Sequence, residues 1–149
     1  MLQQLSMPSP VGRLTLSEED GAVVSIAWGG ETRGNGSPLL AEAARQLEAY
    51  FAGTLENFDL PLRPAGSPFE RRVWAAMQRI PYGKTQCYGD LAAAIGSAAR
   101  PVGGACGRNP IPIVIPCHRV LAKAGLGGYS GQGGLATKHT LLSLEGALA

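Results

Sequence analysis

Residues 88–109 read YGDLAAAIGSAARPVGGACGRN. The apolar spacing predicts a short helix over 88–96, closed by Gly96, and a second over 97–109. Two short helices joined by a few residues around a glycine form a helix-turn-helix candidate, and many small bundles contain such a pair too. Pro101 holds Arg100 in extended geometry and suits the first helical position, so Arg100 is expected to project from the helix start. Gly103, Gly104 and Ala105 follow. Small residues there fit either tight helix packing or close approach to a DNA backbone.

Working outward, SPFERRVWAAMQRI (67–80) predicts a helix with Ser67 as its cap, Pro68 in its first turn and Glu70 closing a capping box. Upstream, GRLTLSE (12–18) and GAVVSIAW (21–28) read as strands of an antiparallel meander on either side of an acidic turn. SPLLAEAARQLEAYFAG (37–53) reads as a helix capped by Ser37 and ended by Gly53, and 54–68 as an extended, Pro-rich linker. The expected division is 1–60, a small α/β lobe, and 61–149, a mainly α domain.

Composition limits the function classes. The chain has 149 residues, 45% of them hydrophobic and 16% charged, enough for one ordinary core. No apolar run has the length of a membrane span, and the start lacks the pattern of a secretory signal. Cys87, Cys106 and Cys117 are an odd number without close spacing, which argues for a reducing, cytoplasmic setting and against a disulfide framework. No metal-site spacing appears, so neither a metal nor a cofactor is expected. Residues 1–60 carry three basic and eight acidic side chains, a net −5; residues 61–149 carry ten basic and three acidic, a net +7. The basic part suits a polyanion such as nucleic acid, or simply a solvated surface.

The chemistry concentrates in NPIPIVIPCHRV (109–120). IPIVI (111–115) reads as a short buried strand ended by Pro116, which sets Cys117 on a rigid turn beside His118. A thiol attacks carbon as a thiolate, so it needs a base within reach and a group that orients the base. His118 is the candidate base and Glu145 the candidate orienting group. The alternative is a buried cysteine that happens to adjoin a surface histidine.

The Pro-Cys-His-Arg-Val core, with Asn-Pro eight residues before the cysteine, resembles the active-site segment of the O6-alkylguanine-DNA alkyltransferases. The resemblance extends over VWAAMQRIPYGKTQCYGDLAAAIG, AARPVGGACGRNP, GGYSG and LLSLEG, roughly residues 67–146. It implies a winged-helix-like helix-turn-helix that binds double-stranded DNA from the minor groove and rotates the damaged nucleotide out. It also implies irreversible transfer of the alkyl group of O6-alkylguanine, and of O4-alkylthymine, to Cys117 in a protein acting as a monomer. By the same resemblance, His118 acts through a water and Glu145 completes the relay. Asn109 ties the helix-turn-helix to the active-site turn, Arg100 fills the gap in the base stack, and Gly103, Gly104 and Ala105 approach the DNA. Tyr88 presses on the flanking phosphate and lines the pocket, and Tyr129 and Ser130 form the lid. Cys106 falls on the pocket wall. Two departures stand out: Pro101 after the arginine, and a lid, GYSGQGGLATK, two residues longer than the family's usual pattern. Its glycines suggest a loop that yields easily.

Overall fold

The computed structural model describes residues 2–31, 36–123, 125–129 and 131–148. Strands β1 (Leu2–Met7), β2 (Leu14–Glu19) and β3 (Ala22–Trp28) form an antiparallel sheet in that order. Asp20 and Gly21 both have positive φ, 50° and 81°, between the paired residues Glu19 and Ala22. That is the backbone of a two-residue hairpin whose twist matches the strands. β2 is central and buried on both faces. Its Leu14 and Leu16 face the core, while Thr15 and Ser17 are satisfied by Ser6, Gly29 and Gln4. β1 is a strand the sequence pattern does not announce. LQQLSM shows no clean alternation, because this edge strand is held by its backbone pairing to β2 and buries only Met7.

Helix α1 (Pro38–Phe51) packs on the sheet through Leu40, Ala43, Leu47 and Tyr50, and Ser37 accepts from the Leu40 amide as its cap. Residues 61–63, expected as linker, are pinned to β3: Val23 N donates to Pro61 O and Arg63 N to Val23 O, at 2.8 and 2.9 Å. α2 (Pro68–Gln78) carries the full Ser67–Glu70 capping box. Then come β4 (Gln86–Cys87), α3 (Tyr88–Ala94) and α4 (Ala99–Gly107). A 3-10 turn (Cys117–Arg119), β5 (Val120–Leu121) and α5 (Leu135–Leu144) complete the chain. β4 and β5 pair in parallel, Gln86 with Val120 and Cys87 with Leu121, and so fix the start of α3 beside the 3-10 turn. One cluster of buried apolar residues runs from Leu14, Leu40 and Tyr50 through Val73 and Trp74 to Ile111 and Leu141. The sheet part and the helical part therefore share a core. Among the described residues no helix is long and apolar enough to cross a membrane.

Two local expectations change. α4 begins at Ala99, with Ala98 as its extended cap, so Arg100 is helical and Pro101 is the third helical residue. Proline is tolerated there because first-turn amides lack intrahelical acceptors. The segment 111–115 is not a strand. Pro112 and Pro116 cannot donate to a ladder, and the chain instead folds into two three-residue turns. Val114 N donates to Pro112 O (2.9 Å) around Ile113, whose φ is +75°. Cys117 N donates to Ile115 O (2.8 Å) around Pro116 at φ −82°, ψ 67°. The second is the common inverse γ-turn; the first is the rare, strained form, here on a β-branched residue. Burial of Ile111, Ile113 and Ile115 to 1% exposure or less over-determines it.

Ser67→Ala removes the side-chain half of the α2 capping box, the oxygen that accepts from Glu70 N, and leaves the backbone N–H that donates to Glu70 Oε1. It should lower stability by about 1 kcal/mol, measured by urea unfolding, with the secondary-structure content of the native state unchanged by circular dichroism.

Candidate active site

Cys117 opens the 3-10 turn and is 6% exposed. Asn109, just past α4, holds the turn in place. Its Nδ2 donates to Ile115 O (2.8 Å), and its Oδ1 accepts from Ile111 N (3.0 Å). Burial pushes the Cys117 thiol up, while a hydrogen bond from Asn109 and the charge of Lys138 oppose that rise.

The thiol lines a cavity of about 470 Å³ with Tyr88, Gly103, Cys106, Gly107, Gly128 and Tyr129. Tyr88 comes from the first turn of α3, and Gly103, Cys106 and Gly107 come from α4. The wall opposite is the lid, where a glycine is required at 127. Its φ is +74°, and a Cβ would stand 3.0 Å from the Tyr88 ring and 3.1 Å from Ala122 N. Ser130, expected in the lid, lies outside the described residues. Cys106 is buried, with Sγ 3.5 Å from Met77 Sδ, and burial first, then the neighbouring Cys117, push its thiol up to about 12.

Behind the thiol lies a buried polar network. His118 is fully buried, and its Nε2 is 2.7 Å from Glu145 Oε2. Arg119 Nε donates to Oε1 (2.8 Å) and its Nη2 to Oε2 (3.0 Å), and Tyr50 Oη donates to Oε2 (2.5 Å). Burial pushes the Glu145 carboxyl up, but the hydrogen bonds from His118, Arg119 and Tyr50 outweigh it and hold the group down at about 2. Ionised Glu145 only accepts, so His118 Nε2 carries the hydrogen and Nδ1 the lone pair. Nδ1 has no hydrogen-bond partner among the described residues. Burial lowers the His118 pKa and Glu145 counters it, so the imidazole rests neutral. A neutral imidazole oriented by a carboxylate and beside a cysteine can take a proton from the thiol.

Three members of this site were not singled out from the sequence. Arg119 also donates from Nη1 to Ile80 O (2.7 Å), tying Glu145 to the end of α2. Tyr50 reaches Glu145 from α1 and has no motif around it. Lys138 is fully buried on α5, where Nζ donates to Val120 O (2.7 Å) and Gly128 O (3.0 Å) and lies 5.8 Å from the centre of the Tyr88 ring. Its signal was the lysine ending GYSGQGGLATK. Arg119 and Lys138 are thus inside, and the basic surplus of residues 61–149 overstates the positive surface.

Arg100 is exposed on the first turn of α4. The small-residue stripe splits. Gly103 lines the cavity and Gly104 is partly exposed beside Arg108, but Ala105 is fully buried and its carbonyl accepts from Trp74 Nε1 (2.9 Å). Ala105 therefore faces the core, correcting its expected place on a DNA-facing surface. It lies two residues past Gly103 on a 3.6-residue turn, which carries it to the opposite face.

Residues 68–147 match the family described as 6-O-methylguanine DNA methyltransferase, DNA binding domain, and residues 4–64 match that family's ribonuclease-like domain. The chain belongs to the 6-O-methylguanine DNA methyltransferases. It is 46% identical over 155 residues to the methylated-DNA–protein-cysteine methyltransferase of Mycolicibacterium paratuberculosis, covering 97% of this chain and 93% of that relative. The constitutive methylated-DNA–protein-cysteine methyltransferase of Bacillus subtilis is 43% identical, over 92% of this chain and 91% of its own. The crystal structure of Mycobacterium tuberculosis OGT in complex with DNA superposes with a TM-score of 0.84 at 42% identity, covering 95% of this chain and 91% of that one. In this methyltransferase family member, then, the Cys117 turn and the helix pair α3–α4 both lie in the part matching the DNA-binding domain, while Tyr50 reaches the network from the part matching the other domain.

The buried groups set a pH dependence of stability. His118 is held below its ordinary value, so the unfolded chain binds a proton that the folded one refuses. Stability should therefore fall as pH drops through about 6.5. The contribution of Glu145 is complete above about 4.3 and lost as pH falls toward 2. The raised Cys117 and Cys106 thiols act at the other end: the unfolded thiols ionise first, so stability should fall as pH rises past about 8.5. Urea midpoints across pH 5 to 10 should peak between these limits. His118→Gln should flatten the decline between pH 7 and 5.5.

Proposed function

We propose that this protein repairs O6-alkylguanine in double-stranded DNA by taking the alkyl group onto Cys117 Sγ, once per molecule. The observation that carries the reading is a cysteine at the floor of an open cavity, in front of a His118–Glu145 pair whose tautomer leaves Nδ1 as a base. The proton of Cys117 passes through a bridging water to Nδ1. The thiolate then attacks the alkyl carbon; the S–C bond forms as the C–O6 bond breaks, and the electron pair stays on the guanine. Tyr88 donates a hydrogen bond to the departing base, and the lid at Tyr129 offers a backbone N–H to O6. The product is a thioether on Cys117, and a thioether has no ready route back to a thiol. The site resembles a catalytic dyad, yet the acceptor is consumed. O4-alkylthymine presents the same alkyl–oxygen carbon and belongs to the same substrate class.

The DNA side rests on α3 and α4. A base edge inside a duplex cannot reach a buried thiol, so the nucleotide must leave the stack, at a cost of a few kcal/mol. Exposed Arg100, at the start of the helix that walls the cavity, is placed to fill the gap, and Gly103 and Gly104 let the backbone come close. Entry from the minor groove suits an inserted side chain. We read the protein as a monomer of the cytoplasm, where its three thiols stay reduced, with residues 1–60 and 61–149 as two domains working on one site.

With O6-[methyl-³H]guanine duplex DNA in excess, label should plateau at about one equivalent per protein, all of it on Cys117 by peptide mass spectrometry. Cys117→Ser should abolish transfer and retain DNA binding. Sustained turnover, or label on Cys87 or Cys106, would contradict the assignment.

Arg100→Ala should slow repair of duplex DNA at least tenfold while leaving the reaction with free O6-benzylguanine within about twofold, because a free base needs no extrusion; the two-to-tenfold contrast spans roughly 1 kcal/mol. Equal losses on both substrates would place Arg100 in support of the active site instead.

A further inference from the structure

The lid wall of the cavity is backed by a residue from the sheet. Trp28, the last residue of β3, is anchored by its Nε1–H donating to Val11 O (2.9 Å). Its ring meets Tyr129 edge-on, with centroids 6.2 Å apart and planes at 89°. Gly131 sits between the two rings: a Cβ there would stand 2.4 Å from Tyr129 Cε2 and 2.8 Å from Trp28 Cη2. The contact is closed, with no space for even one methyl group. The inserted lid residue Gln132 lies beside this contact, its Nε2 3.9 Å from a Cβ built on Gly12 in the β1–β2 turn. Gln132 O accepts from Thr137 Oγ1 (2.5 Å), and Gly134 N donates to Gly131 O (3.0 Å). On the other flank Lys138 holds Gly128 O. The longer, glycine-rich lid is thus docked against the sheet and the first turn of α5, which offsets the softness its composition suggests.

We infer that Trp28 is a specificity-determining residue, a backstop that fixes Tyr129 and so sets how large an alkyl group the Cys117 cavity admits. Tyr129 lines the cavity on one side and meets the indole on the other. A bulky group on the lesion can be seated only if Tyr129 gives way, and the indole, tied to the β1–β2 turn, stands where the ring would go. Overpacking a site with no room to yield is unfavourable. Methyl needs no such displacement. Trp28 bonds Val11 and packs on Tyr129, so its removal should change room rather than chemistry. The inference rests on the alkyl-transfer reading for its substrates but not for its geometry.

The test is single-turnover transfer from duplex oligonucleotides carrying O6-methylguanine or O6-benzylguanine, with wild type, Trp28→Ala and Trp28→Phe. Labelling of Cys117 by iodoacetamide and by the bulkier N-benzyl iodoacetamide is followed in parallel. Trp28→Ala should raise the benzyl-to-methyl rate ratio at least threefold and raise the bulky-to-small labelling ratio in the same direction. Trp28→Phe keeps an aromatic edge, loses the hydrogen bond to Val11, and should fall between; it also decides the matter if the alanine variant does not fold. Unchanged ratios in the folded variants overturn the inference, as does a parallel loss on every probe, which would make Trp28 a fold residue only. If the wild type transfers no alkyl group from either DNA, the repair reading fails, and the two labelling rates alone still decide whether Trp28 sets the width.

Discussion

The carboxylate of Glu145 gathers donors from two distant parts of the chain. His118 and Arg119 come from the 3-10 turn, Tyr50 arrives from α1 at a separation of 95 residues, and Arg119 in turn holds the last turn of α2 through Ile80 O. Taking a carboxylate out of water costs several kcal/mol, and only charge-assisted hydrogen bonds in good geometry offset it. Here both oxygens are occupied, one by Arg119 and the other by three donors. Once Glu145 is ionised and fixed, the His118 tautomer follows, and with it the lone pair on Nδ1. The same network explains why the sheet part is not an appendage: without Tyr50 a buried carboxylate oxygen loses its shortest contact.

A second constraint is the segment between α4 and the thiol. Asn109 spans it with one side chain, bonding Ile111 N and Ile115 O, while Ile26 N of β3 donates to Pro110 O (2.9 Å). The sheet, the helix-turn-helix and the acceptor thus meet at four or five residues of tightly turned backbone. Buried isoleucines on either side hold this turned backbone in one conformation, so the end of α4 and Cys117 are set at a fixed relation to each other.

Much of this was legible in the sequence, for physical reasons. Helix caps are local, so Ser37, Ser67 and Glu70 announced α1 and α2. The acceptor motif is contiguous, so Cys117, His118 and Asn109 were readable, and Glu145 came with LLSLEG. What escaped was of other kinds. β1 is an edge strand stabilised by pairing rather than by pattern. IPIVI has the composition of a strand, yet its prolines and γ-turns make it a knot of turns, since apolar burial does not itself choose between the two. Tyr50 and Trp28 act across the fold: nothing near either in sequence speaks of Glu145 or of the lid. Lys138 and Arg119 counted as surface charge because a sum of charges cannot see which side chains turn inward.

The resting state of the thiol carries its own logic. Burial holds Cys117 protonated and His118 neutral, while Lys138 and Asn109 pull the thiol back toward ionisation. A permanently ionised thiolate would react with any soft electrophile small enough to enter, and for the single-use acceptor proposed here each such event is the loss of the molecule. On the proposed reaction, this thiol gives up its proton to the His118 relay when the substrate base is seated. On that reading, hydrogen bonds to the oxygen and ring nitrogens of the leaving guanine would assist the step. The network built on Glu145 keeps His118 oriented and neutral, while burial keeps the Cys117 thiol protonated at rest.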